Sequence, residues 1–251
     1  MRVRTISRGR ASVAVRFAVG AVGFAVGFAQ LGANSVVVGQ DKAVASADAV
    51  SLFDGKSLQG WSGLSANWSV QDGAITGENK ADAPIPNNTF LVYEKPVKDF
   101  ELTLEFRIMG GNSGIQYRSK VFDKEKFIVG GYQADIDAGK RYMGINYEER
   151  GRGILAERGE IIAIDGEGKK SKVGSAGDAD ALLSQVKWED WNRYRIVAKG
   201  KTVQHFINDQ LMSEVQDSES AKAATEGVLA LQLHAGPPMK VQFKNIKLKS
   251  F

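Results

Sequence analysis

Gln133, Asp135 and Asp137 are the residues whose types and spacing most plainly suggest chemistry; they lie in the run Gly130-Gly131-Tyr132-Gln133-Ala134-Asp135-Ile136-Asp137. On a strand, successive side chains point to opposite faces. Tyr132, Ala134 and Ile136 then share one face, and the amide and two carboxylates share the other. Three polar groups in a row are costly to bury without partners. Such a row suits an open polar groove across a sheet, where a polar ligand such as a sugar could lie. The two carboxylates could move protons or ligate a hard divalent cation such as calcium.

The same two-residue period brings further groups to strand faces. In 114–118, Gln116 and Arg118 oppose Ile115 and Tyr117; in 228–234, Gln232 and His234 oppose three leucines. His234 precedes Ala235-Gly236-Pro237-Pro238, a rigid turn able to hold it at a groove rim as a second proton-transfer group. Arg118 and Gln133 could bind sugar hydroxyls, with Gln116 beside them, although Arg118 equally suits an ion pair with a surface acid. His205 shares a face with Val203 and Ile207, a setting more common for a packed, hydrogen-bonded histidine than for a catalyst. The segment Tyr147-Glu148-Glu149-Arg150-Gly151-Arg152-Gly153 is densely charged. Glu148 or Glu149 could supply an acid or base there, Arg150 or Arg152 an oxyanion partner, and Tyr147 a binding surface. A solvated hairpin tip is the competing reading. Trp61, Trp68, Trp188 and Trp191 could stack on sugar rings, but tryptophans near strand starts more often plug a core.

The elements that must position these groups are mostly strands. Residues 100–108 alternate strictly, with Phe100, Leu102, Leu104, Phe106 and Ile108 on one face. Similar segments are predicted at 67–70 and 74–76 around an Asp72-Gly73 hairpin turn, and at 90–93, 114–118, 132–137, 143–147, 192–198, 202–207, 228–234 and 240–248. Asn208-Asp209 makes another turn. One weak helix is predicted at 178–186; 165–177 reads as a mobile loop, and 214–226 as a loop with a helical turn. Many short strands with glycine turns indicate an all-β sandwich or jelly roll.

The chain has 251 residues, 43% of them hydrophobic, and no cysteine. Disulfides, thiolate metal sites and a cysteine nucleophile are therefore excluded. Five arginines precede an apolar run at 17–29, and small-residue cleavage patterns end near Ala47. This reads as a signal peptide and short linker over 1–47, followed by a single domain over 48–251, and so as a secreted or periplasmic protein. An N-terminal membrane anchor is the alternative. Cleavage after Ala47 would remove six of the 33 basic residues and one of the 29 acidic ones, leaving a net charge of about −1. The basic balance belongs to the leader, so neither nucleic acid nor, after cleavage, a stable membrane partner is expected.

The segment Ser51-Leu52-Phe53-Asp54-Gly55-Lys56-Ser57-Leu58-Gln59-Gly60-Trp61 resembles the start of the 3-keto-disaccharide hydrolase family. The resemblance continues through Phe100 to Arg107, Gly111-Asn112-Ser113-Gly114-Ile115 to Arg118, Gly131-Tyr132, Glu189-Asp190-Trp191-Asn192, His205, Asn208, Leu231-Gln232-Leu233-His234 and Val241 to Lys249. It spans about 50–251. It implies a concanavalin-like jelly-roll β-sandwich with a concave polar groove, export, and action on glycosides oxidised at the third carbon. Many relatives carry Glu then Gln where Gln133 and Asp135 stand, so the acid is displaced by two positions on the same face. The candidate catalytic residues are Asp135, Asp137, His234 and Glu148. The candidate substrate-binding residues are Arg118, Gln133, Gln116, Tyr147, Glu149, Arg150 and His205. No particular cofactor is implied, and a divalent cation such as calcium is an option. A non-catalytic carbohydrate-binding module of the same fold is the rival from another class, and an ordinary two-carboxylate glycosidase is a third reading.

Overall fold

The computed structural model describes residues 49–251. The expected signal peptide over 1–47 lies outside the described residues. The strands are β1 (Val50–Ser51), β2 (Trp61–Ser62), β3 (Trp68–Gln71), β4 (Ala74–Asn79), β5 (Thr89–Tyr93) and β6 (Phe100–Met109). They continue as β7 (Asn112–Asp123), β8 (Ile128–Asp137), β9 (Asn146–Glu149), β10 (Gly153–Ala156), β11 (Glu160–Ile164) and β12 (Lys170–Ser175). After the short helix α1 (Ala179–Leu183) come β13 (Asn192–Lys199), β14 (Thr202–Ile207), β15 (Gln210–Asp217), β16 (Val228–Leu233) and β17 (Met239–Ser250).

Two sheets form the sandwich. One has the order β12-β11-β15-β14-β13-β6-β17-β4-β3, with β1 paired to β17; the other runs β10-β9-β8-β7-β16-β5-β2. The alternation in β6 does what the sequence requires: its five apolar residues are buried between the sheets. Its polar face lies outside, where Glu105 pairs with Lys244 and Glu101 with Arg195. From the second sheet, Ile115, Tyr117, Tyr132, Ala134, Ile136, Leu229, Leu231 and Leu233 fill the same core.

The β3–β4 turn is made at Asp72 and Gly73, both with positive φ, as a tight hairpin demands. Asp178 caps α1 by accepting from the Asp180 and Ala181 amides. Three expectations are corrected. The stretch expected as a loop at 165–177 contains β12, an exposed edge strand whose polar composition hides it and whose partner β11 supplies the apolar side. The start of 214–226 belongs to β15. The strand expected at 143–147 begins only at Asn146.

The feature that positions the site is the far end of the β7–β8 hairpin. β5 and β8 are separated by β7 and β16 in the sheet. Yet the Phe90 amide donates to the Phe127 carbonyl, and the Thr89 hydroxyl to the Lys126 carbonyl. The hairpin end therefore folds back across the outer face of its own sheet. Arg118 (φ +48°) and Gly131 (φ +142°) stand at the bend, where the β7–β8 register shifts. A Cβ on Gly131 would come within 2.5 Å of the Ser119 hydroxyl oxygen. Phe90, Val92, Val129 and Ala230 form a second apolar cluster under the fold-back. What remains of that outer face is a covered polar groove.

Candidate active site

Side chains that alternate with the core residues of β8, β7, β16 and β9 form the groove floor. β8 supplies Gln133 and Asp135, β7 supplies Gly114 and Gln116, β16 supplies Gln232, and β9 supplies Tyr147 and Glu149. Cross-strand register pairs Gln133 with Gln116 on one side and Tyr147 on the other, and Asp135 with Gly114.

A directed chain of hydrogen bonds runs across this floor. The Ser119 hydroxyl donates to Gln116 Oε1 (2.6 Å), Gln116 Nε2 donates to Gln133 Oε1 (2.8 Å), and Gln133 Nε2 donates to Asp135 Oδ1 (2.5 Å). Each amide accepts from one neighbour and donates to the next, so Asp135 is the terminal acceptor. Its side chain is nearly buried, at 5% exposure, and among the described residues no arginine or lysine is paired with it. Burial pushes its carboxyl well above the ordinary range; the Gln133 bond opposes this, and the nearby charges of Asp137 and Glu149 reinforce it. Tyr147 is raised for the same reasons, by burial and then by Glu149 and Asp135. Asp135, Tyr147 and Glu149 are thus one electrostatic group.

The groove is bridged. Asn88 pairs in position with His234, just beyond the Thr89–Leu233 pair. Its amide donates to Glu149 Oε1 at 3.4 Å and its carbonyl oxygen accepts from the Ala235 amide at 2.9 Å. Since β8, β7 and β16 lie between β9 and β5, this contact passes over the floor. His234 stands at the rim, half-buried, with Nδ1 beside the Ala235 carbonyl (2.5 Å). That carbonyl can only accept, so Nδ1 carries the hydrogen and Nε2 is the atom left to exchange a proton.

Of the residues expected from sequence, Asp135, Gln133, Gln116, Tyr147 and Glu149 come together on the floor, with His234 at its edge. Five do not join them. Both oxygens of Asp137 are taken by backbone amides, of Gly139 (2.9 Å) and Tyr142 (2.8 Å), which makes it a cap for the turn after β8. Glu148 faces the interior and binds Arg152. Arg118 is withdrawn between elements, where it donates to the Lys98 and Gly200 carbonyls and to Asp99. Its positive φ is what turns the side chain away from the groove. His205 lies between the sheets, fully buried, with the Tyr117 hydroxyl at 2.8 Å and the Ile145 carbonyl at 3.2 Å. Arg150 occupies the exposed β9–β10 turn with φ +57°.

The calcium option is not supported by the donors. Asp137 is spent on the turn, Asp135 accepts an amide N–H, and among the described residues no three carboxylate or imidazole groups converge on a cation position. Trp61 and Trp68 are core, while Trp191 lies beneath Arg107 and Lys244 on the other sheet. A cavity of about 230 Å³ lined by Arg118, Tyr132, Lys201, Asp217 and Glu219 opens between the sheets, apart from the polar floor. Asn88 and Gln232 were not singled out as site residues. Gln232 was legible in the alternation of 228–234; Asn88 was not, because only the fold-back brings it opposite Glu149.

Fold and floor together define a jelly-roll sandwich with one face converted to a covered polar groove. The chain belongs to the family described as the 3-keto-alpha-glucoside-1,2-lyase-like domain, which it matches over residues 48–249. It is 30% identical over 205 residues to a 3-keto-disaccharide hydrolase of Bacteroides thetaiotaomicron, covering 72% of this chain and 67% of that protein. Among solved structures, a proposed glycosyl hydrolase from Parabacteroides distasonis superposes with a TM-score of 0.55 at 21% identity, covering 81% of this chain and 94% of that one. A carbohydrate-binding module from Bacillus subtilis superposes with a TM-score of 0.50 at 16% identity, covering 76% and 96%. These two likenesses show the fold alone. Family and relative place the chain among glycoside-cleaving enzymes.

Proposed function

We propose that the protein cleaves glycosides carrying a ketone at the third sugar carbon, by elimination followed by hydration, with Asp135 as the base. The ketone acidifies the hydrogen on the second carbon. Asp135 takes that proton, the electron pair moves to form an enolate, and the bond from the first carbon to the glycosidic oxygen breaks. The departing oxygen takes a proton from a groove acid, for which Glu149 and His234 are the groups in place. Water then adds to the first carbon and a proton returns to the second, so the sum is hydrolysis. Donor amides on the floor suit the enolate oxygen.

One observation carries this reading: a single carboxylate ends a one-way amide chain on the floor of a covered groove, and its surroundings hold its proton affinity high. A base needs such affinity to abstract a weakly acidic proton. The Asp135/Asp137 pair considered for an ordinary glycosidase is unavailable, because Asp137 caps a turn. The arginine-rich, apolar leader before residue 48 supports export as the setting.

The test is incubation of the purified protein with 3-keto-trehalose and 3-keto-β-glucosides, following aglycone release and an ultraviolet-absorbing unsaturated ketosugar. Asp135→Asn keeps the fold and loses on the order of 10²–10⁴ in turnover. Wild-type-like turnover by that variant removes Asp135 from the mechanism. Equal turnover of the unoxidised parent sugars removes the ketone from it.

A further inference from the structure

Among the described residues, Gln232 is the one fully buried floor side chain left without a hydrogen-bond partner. It alternates with Leu231 and Leu233, which face the core, so its amide is on the groove side. It lies opposite Phe90 on β5. One step beyond the Leu231–Ile115 pair, it stands beside Gly114, and Gly114 pairs with Asp135. The residue is fully buried, yet neither Nε2 nor Oε1 makes a hydrogen bond. The other floor amides are engaged: Gln116 with Ser119 and Gln133, Gln133 with Gln116 and Asp135. A leucine there would avoid burying two unmatched polar atoms.

Across this row, Gln232 and Asp135 are two strand spacings apart, roughly 10 Å between Cα atoms. Gly114 between them has no side chain, and the Gln133 side chain lies over it, at 2.5 Å from where a Cβ would be. The amide and the carboxylate therefore stand on opposite sides of one position, whose floor is the Gln133 side chain lying over Gly114. A carboxamide offers one donor and one acceptor side by side in a plane. Its complement is an oxygen that only accepts, next to a hydroxyl that donates, which is the pattern of a ketone beside a hydroxyl-bearing carbon.

We propose that Gln232 is the specificity-determining residue that reads the oxidised carbon, with Nε2 donating to the ketone oxygen and Oε1 accepting from an adjacent hydroxyl. The assignment rests on the function proposed above and names the part of the floor that selects the oxidised sugar. The same N–H then follows the ketone oxygen into the enolate. Entry of the sugar parts the 3.4 Å contact between Asn88 and Glu149 that spans the groove.

The experiment compares kcat/KM for a 3-keto-disaccharide with the inhibition constant of its unoxidised parent, in wild type, Gln232→Glu and Gln232→Met, each checked for folding by its melting temperature. A carboxylate accepts from two hydroxyls but has no donor for a ketone. Gln232→Glu is expected to lose at least about tenfold in kcat/KM for the ketone while holding the parent as well as before or better. Gln232→Met, of similar shape, is expected to weaken both ligands without changing their order. A Gln232→Glu protein that keeps the wild-type ratio of the two overturns the proposal, and so does a Gln232→Met protein with wild-type kcat/KM. Wild type that fails to cleave the ketone overturns the proposed function, and this assignment with it.

Discussion

At Asp135 the chain keeps an ionisable group where its charge is disfavoured, and the neighbours are arranged to tolerate the ion without welcoming it. One directed amide bond is the whole of its support. That support depends on Gly114, since Gln133 lies across the space a side chain at 114 would need. A Gly114→Ala substitution sets a Cβ within 2.5 Å of Gln133 Cγ and 2.6 Å of its Cδ. Gln133 must then leave its place, breaking the chain from Gln116 to Asp135. The expected result is a stability loss of about 1–3 kcal/mol in chemical denaturation, with a fall in turnover larger than any change in KM. A variant with unchanged turnover would show that the amide chain does not serve the carboxylate. The same geometry ties the acid at 135 to the amide at 133, two positions away on the same face.

At the scale of elements, the groove depends on β9 being held in place from behind. Tyr147 and Glu149 face the groove, while Asn146 and Glu148, between and beside them, are bound in the interior. Arg152 is the anchor: it binds Glu148, Asp217 (2.6 Å) and Glu219 (2.8 Å), tying the β9–β10 hairpin to the end of β15. Burial would raise the Asp217 carboxyl, but Arg152 and the Tyr132 hydroxyl outweigh it and hold it below the ordinary range. Arg152→Ala leaves buried carboxylates unpaired and is expected to cost about 3–5 kcal/mol. Arg150→Ala, two residues away in the exposed turn, is expected to stay within about 0.5 kcal/mol. Equal effects of the two in urea unfolding would refute the anchoring role. The densely charged stretch 147–153 was visible in sequence, but its division into groove, anchor and turn was not. That division follows from strand alternation combined with the partner at Asp217, some 65 positions away. Local pattern was enough for β6, for the Asp72-Gly73 hairpin and for the polar face of β8, because each depends on neighbours in the chain. It failed for β12, whose apolar partner is another strand, and for Arg118, whose left-handed backbone sends the side chain away from its strand face.

For the whole molecule, two of the buried titratable groups, Asp135 outside the second sheet and His205 inside it, pull stability in opposite directions. His205 joins the sheets under the groove: the Tyr117 hydroxyl donates to its Nε2, and its Nδ1 hydrogen faces the Ile145 carbonyl. Burial lowers its pKa to about 3. The folded protein therefore keeps it neutral while the unfolded chain takes up a proton below about 6.5, so stability is lost as pH falls from there toward 3. Asp135 works the other way. Its folded pKa is raised, so the folded protein holds a proton that the unfolded chain releases above about 3.9, and stability is lost as pH rises toward the folded value. Where the windows overlap, each contributes up to about 1.4 kcal/mol per pH unit with opposite sign. The wild-type stability curve between pH 7 and 4 is then flatter than either group alone would make it. Asp135→Asn is expected to be more stable than wild type at pH 7 and to lose that advantage steadily on acidification. His205→Gln is expected to be weaker at pH 7, by about 1–3 kcal/mol for the disturbed hydrogen bonds, and to close the gap as pH falls. Urea unfolding at pH 7, 5.5 and 4.5 measures both. Parallel curves for the three proteins would mean that neither group titrates differently on folding, and the raised proton affinity on which the proposed role of Asp135 as base depends would fall with them.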